Sequence, residues 1–76
     1  MTPIVYTKPG CSACIATHRE MAKKDIYYVE IDVTKNEAEY ERLAELGLLQ
    51  MPVVHANGEY WTGFRPDKIQ ELVKTA

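Results

Sequence analysis

The sequence predicts one α/β domain, over residues 1–76, in which a four-stranded mixed sheet is packed by three helices. Two observations predict this class: an apolar strand, a helix and a second strand follow one another within residues 3–32, and an Asn-Gly pair later separates two further strand-like runs. A strand-helix-strand unit makes a right-handed crossover between parallel strands, whereas an Asn-Gly turn joins antiparallel strands. Because 46% of its residues are hydrophobic, the chain is long enough for one small core, and it is too short for two.

The first strand, the first helix and the second strand are predicted by their hydrophobic patterns. Residues 3–7 form an apolar run without alternation, which is typical of a strand covered on both faces, and Pro9-Gly10 ends it. Residues 12–24 follow as a helix that ends at Asp25. Residues 27–32 alternate between apolar and polar side chains, which predicts a half-exposed strand. The apolar members of the helix are Ala13, Ile15, Ala16 and Met21.

The second helix is predicted by its two ends. Thr34 and Glu37 match a capping box, in which each side chain satisfies the other's backbone N–H, so the helix is predicted to begin there. Gly47 suits a left-handed C-terminal stop, which places the last helical residue near Leu46.

A hairpin and a third helix complete the predicted order. Residues 52–55 and 59–62 flank the Asn57-Gly58 pair, a strong short-range hairpin signal. Pro66 can occupy the first position of the last helix, where its missing N–H costs nothing. The predicted buried stripe of this helix consists of Ile69, Leu72 and Val73.

The charge and hydropathy of the chain exclude several functional classes. The formal net charge is −2 and the basic residues are scattered among carboxylates, so nucleic-acid binding is not expected. No apolar run approaches the roughly 20 residues that span a bilayer, and no basic segment followed by an apolar stretch opens the sequence. We therefore expect a cytoplasmic protein with no membrane partner.

The two cysteines of the chain, Cys11 and Cys14, lie directly after the first strand, at the start of the first helix. The N–H groups of a helix's first turn have no intrahelical acceptor and carry partial positive charge, so a sulfur there is better stabilised as thiolate than as thiol. We therefore expect Cys11 to be the nucleophile of a thiol-disulfide redox site. Cys14 lies nearly one turn further in, close to Cys11 and shielded from solvent, which suits the resolving role.

Two other uses of the cysteine pair are open at this point. The same spacing makes half of a zinc site, which His18, on the same helical face as Cys14, would complete with His55, although zinc fingers place their histidines much further along the chain. A purely structural disulfide would close a short loop and remove little entropy from the unfolded chain. We expect redox chemistry and no bound metal.

Residues 6–14, Tyr-Thr-Lys-Pro-Gly-Cys-Ser-Ala-Cys, resemble the active-site segment of glutaredoxins. Residues 50–54 and 61–67 narrow the resemblance to NrdH-type redoxins, glutaredoxin-like proteins that behave functionally like thioredoxins and whose signature is Trp-Ser-Gly-Phe-Arg-Pro-Asp. The resemblance spans nearly the whole chain and implies a thioredoxin-like fold in the order β-α-β-α-β-β-α. Thr62 replaces the serine of that signature. Ser12-Ala13 stands where the family usually has Val-Gln or Met-Gln, a departure that bears on the reduction potential.

The resemblance also implies roles outside the cysteine pair. Met51-Pro52 matches a cis peptide bond beside the cysteines, which would turn the backbone of Met51 toward an extended substrate segment. Trp61, Gly63 and Phe64 match a stretch near the active site that could receive a protein partner, although core packing explains Trp61 equally well.

Two further assignments concern charged side chains. Arg65 and Asp67 match a polar pair that ties the start of the last helix to neighbouring loops, so we expect a structural role first and partner contact second. Lys8 has three open roles: it stabilises the Cys11 thiolate, it contacts a glutathione carboxylate, or it is simply solvated.

The activity that the resemblance implies is the reduction of protein disulfides, with electrons passed to the large subunit of a ribonucleotide reductase. A flavoprotein thioredoxin reductase fed by NADPH would recharge the oxidised pair, no cofactor would be bound, and we expect a monomer. Glutathione is the alternative reductant. Ordinary glutaredoxins hold that tripeptide with a Gly-Gly and acidic stretch after the hairpin, where this chain has residues 62–67. The resemblance therefore favours the reductase.

Overall fold

The computed structural model describes the backbone of residues 2–75 and the side chains of residues 2–73, and every predicted helix and strand is present. The strands are β1 (Ile4–Thr7), β2 (Val29–Asp32), β3 (Val53–Ala56) and β4 (Glu59–Thr62). The helices are α1 (Ser12–Lys23), α2 (Glu37–Glu45) and α3 (Pro66–Thr75), and a short 3-10 helix, Val33–Lys35, lies between β2 and α2.

The four strands form one mixed sheet in the order β2-β1-β3-β4, which confirms the predicted fold class. β1 pairs with β2 in parallel through the α1 crossover, and β3 pairs with both β1 and β4 antiparallel. Because β1 and β2 run in the same direction, Thr7 and Asp32 lie side by side at one end of the sheet. The loop that carries Lys8 and leads to Cys11 begins at this end.

Helices cover both faces of the sheet, as the unalternating apolar run of β1 predicts. Successive side chains of a strand point to opposite faces, so Val5 packs in a cluster with α1 and α3, while Tyr6 packs in a second cluster with α2. The first cluster contains Val5, Met21, Val54, Ala56, Trp61, Ile69 and Leu72. The second contains Tyr6, Cys11, Cys14, Val33, Leu43, Met51 and Val53. The cysteine pair is therefore part of the hydrophobic core.

The predicted capping box of α2 is wrong. Thr34 does not cap the helix, because its backbone N–H and its hydroxyl both donate to Oδ1 of Asp32, at 2.9 and 2.6 Å. This carboxylate, two residues before the threonine, caps the start of the 3-10 helix instead. The hydrogen bonds from Thr34 lower the pKa of Asp32. α2 begins only at Glu37, and Asn36 precedes it without a side-chain cap bond.

Two residues expected in the buried helix faces are exposed. Ile15 lies on the outer side of α1, and Val73 lies outside the buried stripe formed by Ile69 and Leu72. β2 is shorter than predicted and is an edge strand, so Tyr27 lies in solvent just before it. These side chains have the apolar character of core residues, yet each is at least 39% exposed.

The two predicted turns have the expected backbone conformations. Asn57 and Gly58 have φ angles of 51° and 79°, and both lie in the left-handed region that a two-residue type I′ hairpin requires. Gly47 ends α2 with φ of 76°, as the sequence predicts. Asparagine and glycine tolerate this region better than other residues, so the turn fixes the register of β3 against β4.

Arg42 ties α2 to two strands of the sheet. Its Nη2 donates to the hydroxyl oxygen of the fully buried Tyr6 at 2.7 Å, and its Nη1 donates to the hydroxyl oxygen of Tyr60 at 3.2 Å. The carboxylate of Glu39, one turn earlier on α2, accepts from the same guanidinium at 2.8 Å and balances its charge. No pattern in the sequence indicates this network.

Removing the Arg42 guanidinium should destabilise the fold through Tyr6. We expect Arg42→Met to lower the free energy of unfolding by about 1–2 kcal/mol, because the buried Tyr6 hydroxyl loses its partner. Arg42→Met combined with Tyr6→Phe should cost less than the sum of the two single changes, because neither partner is then left unsatisfied. Urea unfolding of the four proteins measures both effects.

The control for this cycle is Arg19→Met, which removes an exposed arginine that makes none of the side-chain bonds found within residues 2–73. Its free energy of unfolding should change by less than about 0.5 kcal/mol. Strict additivity of the Arg42 and Tyr6 changes would contradict the proposed link between α2 and the sheet.

Candidate active site

Cys11 occupies the position just before the first helical residue of α1, the N-cap. Its backbone is extended, with φ of −101° and ψ of 108°, and its sulfur accepts a hydrogen bond from the backbone N–H of Cys14 at 3.1 Å. A serine or aspartate oxygen usually has this role at an N-cap. Gly10, with φ of 72°, makes the turn that leads the chain from β1 into this position. The sulfur therefore sits where the helix end favours negative charge, as predicted.

The two sulfurs are thiols with different surroundings. Cys11 is 9% exposed and lies at the surface of its cluster, and its thiol donates to the backbone carbonyl of Met51 at 3.6 Å. Cys14 is 3% exposed and lies inside the first turn of α1. Burial, and then the hydrogen bond to Cys11, raise the pKa of the Cys14 thiol to about 11. Cys14 is thus a protonated, shielded thiol behind a more accessible one.

The peptide bond between Met51 and Pro52 is cis, as the resemblance to redoxins implies. The Pro52 carbonyl accepts a hydrogen bond from the N–H of Gly63 at 2.9 Å, which joins the end of β4 to the segment beside Cys11. Phe64, the next residue, is 40% exposed. Trp61 is 7% exposed and belongs to the cluster under α1 and α3, so core packing accounts for it and the expected exposed surface does not include it.

Two hollows flank the cysteine pair, and Lys8 borders both. The first, which we call the cysteine cavity, has a volume of about 280 Å³ and is lined by Thr7, Lys8, Pro9, Gly10, Cys11, Cys14, Ile15, His18, Glu30 and Asp32. The second, the Met51 groove, has a volume of about 560 Å³ and is lined by Lys8, Val33, Thr34, Glu37, Tyr40, Leu49 and Met51. Lys8 thus borders both the cavity that contains the two sulfurs and a groove lined by Met51, whose carbonyl accepts a hydrogen bond from Cys11.

The sequence interpretation missed two apolar residues at these hollows. Ile15, expected in the core, instead lines the cysteine cavity. Leu49, which is 56% exposed, lines the Met51 groove and lies outside any predicted element. The signal available for Leu49 was an apolar pair placed just before residues 50–54, in a loop where no helix or strand would bury it. Together with Phe64, these residues form what we call the apolar rim.

The ring of His18 is fully engaged. Its Nδ1 is hydrogen-bonded to the Tyr28 hydroxyl, and its Nε2 lies 3.0 Å from Oε2 of Glu30. The ring of His55 stacks on that of Tyr60, with centroids 4.0 Å apart. Among the residues that the structure describes, no group of three or more His, Cys, Asp or Glu side chains is arranged to hold a metal ion. The donor set for a zinc site is therefore not assembled.

Arg65 and Asp67 pair with each other at the start of α3. Two guanidinium nitrogens, Nε and Nη2, donate to the two carboxylate oxygens at 3.1 and 2.9 Å. This fork lowers the pKa of Asp67 and raises that of Arg65. Both side chains are exposed, and their side-chain hydrogen bonds join them to each other and not to neighbouring loops within residues 2–73. The ion pair is present as expected, but within the described residues it does not tie the start of α3 to neighbouring loops.

The sequence of the chain matches the glutaredoxin family model over residues 4–61. The chain belongs to the glutaredoxin family. The glutaredoxin-like protein NrdH of Escherichia coli K12 is 38% identical over 68 residues, which cover 90% of this chain and 84% of the relative. The NrdH protein of Salmonella typhimurium LT2 is 36% identical over 77 residues, 99% of this chain and 93% of the relative.

Solved structures show which glutaredoxin-like proteins this chain resembles in structure. The NrdH-redoxin of Escherichia coli, described as having a thioredoxin-like activity profile, superposes with a TM-score of 0.92 at 38% identity and covers 95% of both chains. A thioredoxin of Malassezia sympodialis, at 20% identity and a TM-score of 0.68, shares the fold alone. The chain is an NrdH-type, glutaredoxin-like thiol-disulfide oxidoreductase with Cys11 and Cys14 in the redox-motif spacing. No helix within residues 2–75 is long and apolar enough to cross a membrane.

The raised pKa of Cys14 has a measurable consequence for reactivity. In a Cys11→Ser variant, we expect the pH midpoint for alkylation of Cys14 by iodoacetamide to stay above 9, the usual value for such a thiol, because burial is the largest cause and remains. A raised pKa means that the neutral thiol persists to higher pH, so alkylation near neutral pH should be slow. Cysteine alkylation is followed by mass spectrometry.

The matched measurement uses Cys14→Ser, in which Cys11 is the one remaining thiol. This protein should be alkylated at pH 7 faster than Cys11→Ser, because its sulfur is the more exposed of the two and lies at the helix end. Equal rates for the two single-cysteine proteins would contradict the asymmetry of the site.

Proposed function

We propose that this redoxin reduces protein disulfides in the cytoplasm in the manner of a thioredoxin, passes electrons to ribonucleotide reductase through its large subunit, and is recharged by an NADPH-dependent thioredoxin reductase without a bound cofactor. The observation that carries the choice of reductant is the closed pair of Arg65 and Asp67. The carboxylate after the hairpin is held by a bidentate guanidinium at 3.1 and 2.9 Å. This carboxylate lies in the segment where ordinary glutaredoxins hold glutathione, and its ion pair with Arg65 competes with such a contact.

The first step of the cycle is attack by Cys11 on a target disulfide. The Cys11 thiolate forms a bond to one target sulfur, the target's own disulfide bond breaks, and the departing target thiolate takes up a proton. The N–H of Cys14, at 3.1 Å from the Cys11 sulfur, holds the attacking atom at the helix end. The product is a mixed disulfide between Cys11 and the target.

The second step is attack by Cys14 within the mixed disulfide. Its thiol gives a proton to solvent, its sulfur bonds to Cys11, and the remaining target sulfur leaves as a thiolate that is protonated. The target has then gained two electrons and the Cys11-Cys14 pair has lost them. Because the attacking thiol belongs to the same chain, the step proceeds at an effective concentration far above that of any free thiol.

The surroundings of Cys11 suit a protein target better than a small one. Two members of the apolar rim, Ile15 and Leu49, add exposed hydrophobic area to the cysteine cavity and to the Met51 groove, and the Met51 carbonyl lies 3.6 Å from the Cys11 sulfur. An extended segment that carries the target disulfide can pair with this backbone as an added strand while its flanking side chains contact the rim. A tripeptide would cover only part of this surface.

A coupled assay separates the two candidate reductants. With insulin as the disulfide substrate, we expect NADPH consumption with thioredoxin reductase and little with glutathione plus glutathione reductase, because residues 62–67 stand where ordinary glutaredoxins have the Gly-Gly and acidic stretch that holds glutathione. Turnover only with glutathione would overturn the proposed recharging route. A second arm replaces insulin by ribonucleotide reductase and measures deoxyribonucleotide formation; no product with either reductant would overturn the assigned partner.

The variant Arg65→Gln tests, in the same assay, whether the ion pair between Arg65 and Asp67 determines the reductant. It removes the guanidinium that holds Asp67, so turnover with glutathione should rise relative to turnover with thioredoxin reductase. Arg19→Gln removes an exposed arginine of α1 and leaves the ratio unchanged. An unchanged ratio in Arg65→Gln would show that the ion pair does not decide the reductant.

The two cysteines should differ in their ability to trap a target. Cys14→Ser should accumulate a mixed disulfide with insulin or with the ribonucleotide reductase subunit, because nothing resolves it, whereas Cys11→Ser should form none. Non-reducing electrophoresis detects the covalent complex. A complex formed only by Cys11→Ser would reverse the two roles.

A further inference from the structure

Lys8 is the one cation among the described residues that borders both hollows beside the cysteine pair. It follows β1 and precedes the Pro9-Gly10 turn, on the loop that leads to α1. Its side chain is exposed, and none of the ion pairs within residues 2–73 involves it. Its charge is therefore not neutralised by a partner.

The other charged groups of the cysteine cavity are already engaged. Glu30, from β2, pairs with His18 of α1, whose ring is also bonded to Tyr28. Asp32, at the end of β2, accepts two hydrogen bonds from Thr34. The remaining ionisable groups of the wall are Cys11 and Cys14 themselves. Lys8 is thus the charged group of this wall that is free to respond to a negative charge on sulfur.

Lys8 lines the cysteine cavity together with both sulfurs, which differ in what else stabilises them. Burial and the hydrogen bond to Cys11 raise the pKa of the Cys14 thiol, whereas the backbone N–H and the charge of Lys8 lower it. Cys11 already has its own stabilising donor, the N–H of Cys14 at 3.1 Å. Of the two sulfurs, Cys14 is the one that lacks a helix-end donor and is more deeply buried.

We propose that Lys8 promotes the second step of the cycle by stabilising the Cys14 thiolate in the mixed disulfide. In that intermediate Cys11 is bonded to the target sulfur and carries no charge, so its opposition to ionisation of Cys14 disappears. Lys8 remains on the wall of the same cavity, where its positive charge favours the Cys14 thiolate. Lys8 thus affects the step that follows formation of the mixed disulfide. The helix end stabilises Cys11 for the first step.

The proposal rests on the cysteine roles assigned above, and the electron balance is that of the second step. The proton of Cys14 goes to solvent in the cysteine cavity, the Cys11-Cys14 bond forms, and the target thiolate leaves. Lys8 exchanges neither a proton nor an electron. Its effect is electrostatic, and it should therefore depend on pH and on ionic strength.

Stopped-flow reaction with dithiodipyridine, an uncharged aromatic disulfide, tests the two steps separately. Attack by Cys11 releases a first equivalent of absorbing thiopyridone, and attack by Cys14 releases a second. In Lys8→Gln the second phase should slow about three- to fivefold at pH 7, because the thiolate fraction falls while the gain in intrinsic nucleophilicity offsets part of the loss. The first phase should be unchanged.

Two further readouts distinguish electrostatics from a structural effect. The rate deficit of Lys8→Gln should disappear at a pH high enough to ionise Cys14 in both proteins, and it should shrink near 1 M salt, where the screening length is about 3 Å. Lys8→Arg keeps the charge and should restore most of the second-phase rate. Lys23→Gln, which removes an exposed lysine at the far end of α1, should leave both phases unchanged.

Each outcome has one meaning. Slowing of the first phase instead, seen also in a Lys8→Gln/Cys14→Ser protein that releases one equivalent, would assign Lys8 to Cys11 and overturn the proposal. Unchanged rates in both phases would overturn it as well. If Cys14→Ser released no thiopyridone while Cys11→Ser did, the assigned cysteine roles would fail, independently of Lys8.

Discussion

The hydrogen bond from the N–H of Cys14 to the sulfur of Cys11 is the interaction on which the site depends. It performs two tasks at once: it satisfies a backbone donor at the start of α1, and it holds the reactive sulfur in the positive field of the helix end. The start of the helix and the chemistry are therefore the same structural event. A chain that moved this helix by one residue would lose both its cap and its nucleophile.

The sheet supplies the rigid support for this arrangement. β1 is covered on both faces and leads directly into the turn that precedes Cys11, so the position of the sulfur is set by strand pairing and not by a mobile loop. On the other side, the bond between Gly63 and the Pro52 carbonyl fastens the Met51 segment to the end of β4. Two separate stretches of chain thus meet at the sulfur, and each is fixed by its own strand.

Local rules explain why much of this was predictable, and competition between neighbours explains the rest. The Asn57-Gly58 turn and the cysteine pair at a helix start depend on a few adjacent residues, so sequence alone predicts them. Thr34 could form a capping box with Glu37 or bond to the carboxylate of Asp32. It bonds to Asp32, which lies closer along the chain. The exposure of Ile15 and the place of Lys8 on the wall of the cysteine cavity depend on how distant parts of the chain pack, which no local pattern encodes.

The membership of both cysteines in the second core cluster joins the redox state of this protein to its stability. Oxidation and unfolding form a thermodynamic cycle, so the free energy by which the fold favours the dithiol over the disulfide must equal the difference in unfolding free energy between the two forms. The hydrogen bond from the Cys11 thiol to the Met51 carbonyl exists only in the reduced protein. It therefore contributes directly to the difference in unfolding free energy. Any contact in this cluster that differs between the two forms contributes to the driving force of electron transfer, whereas contacts common to both forms cancel.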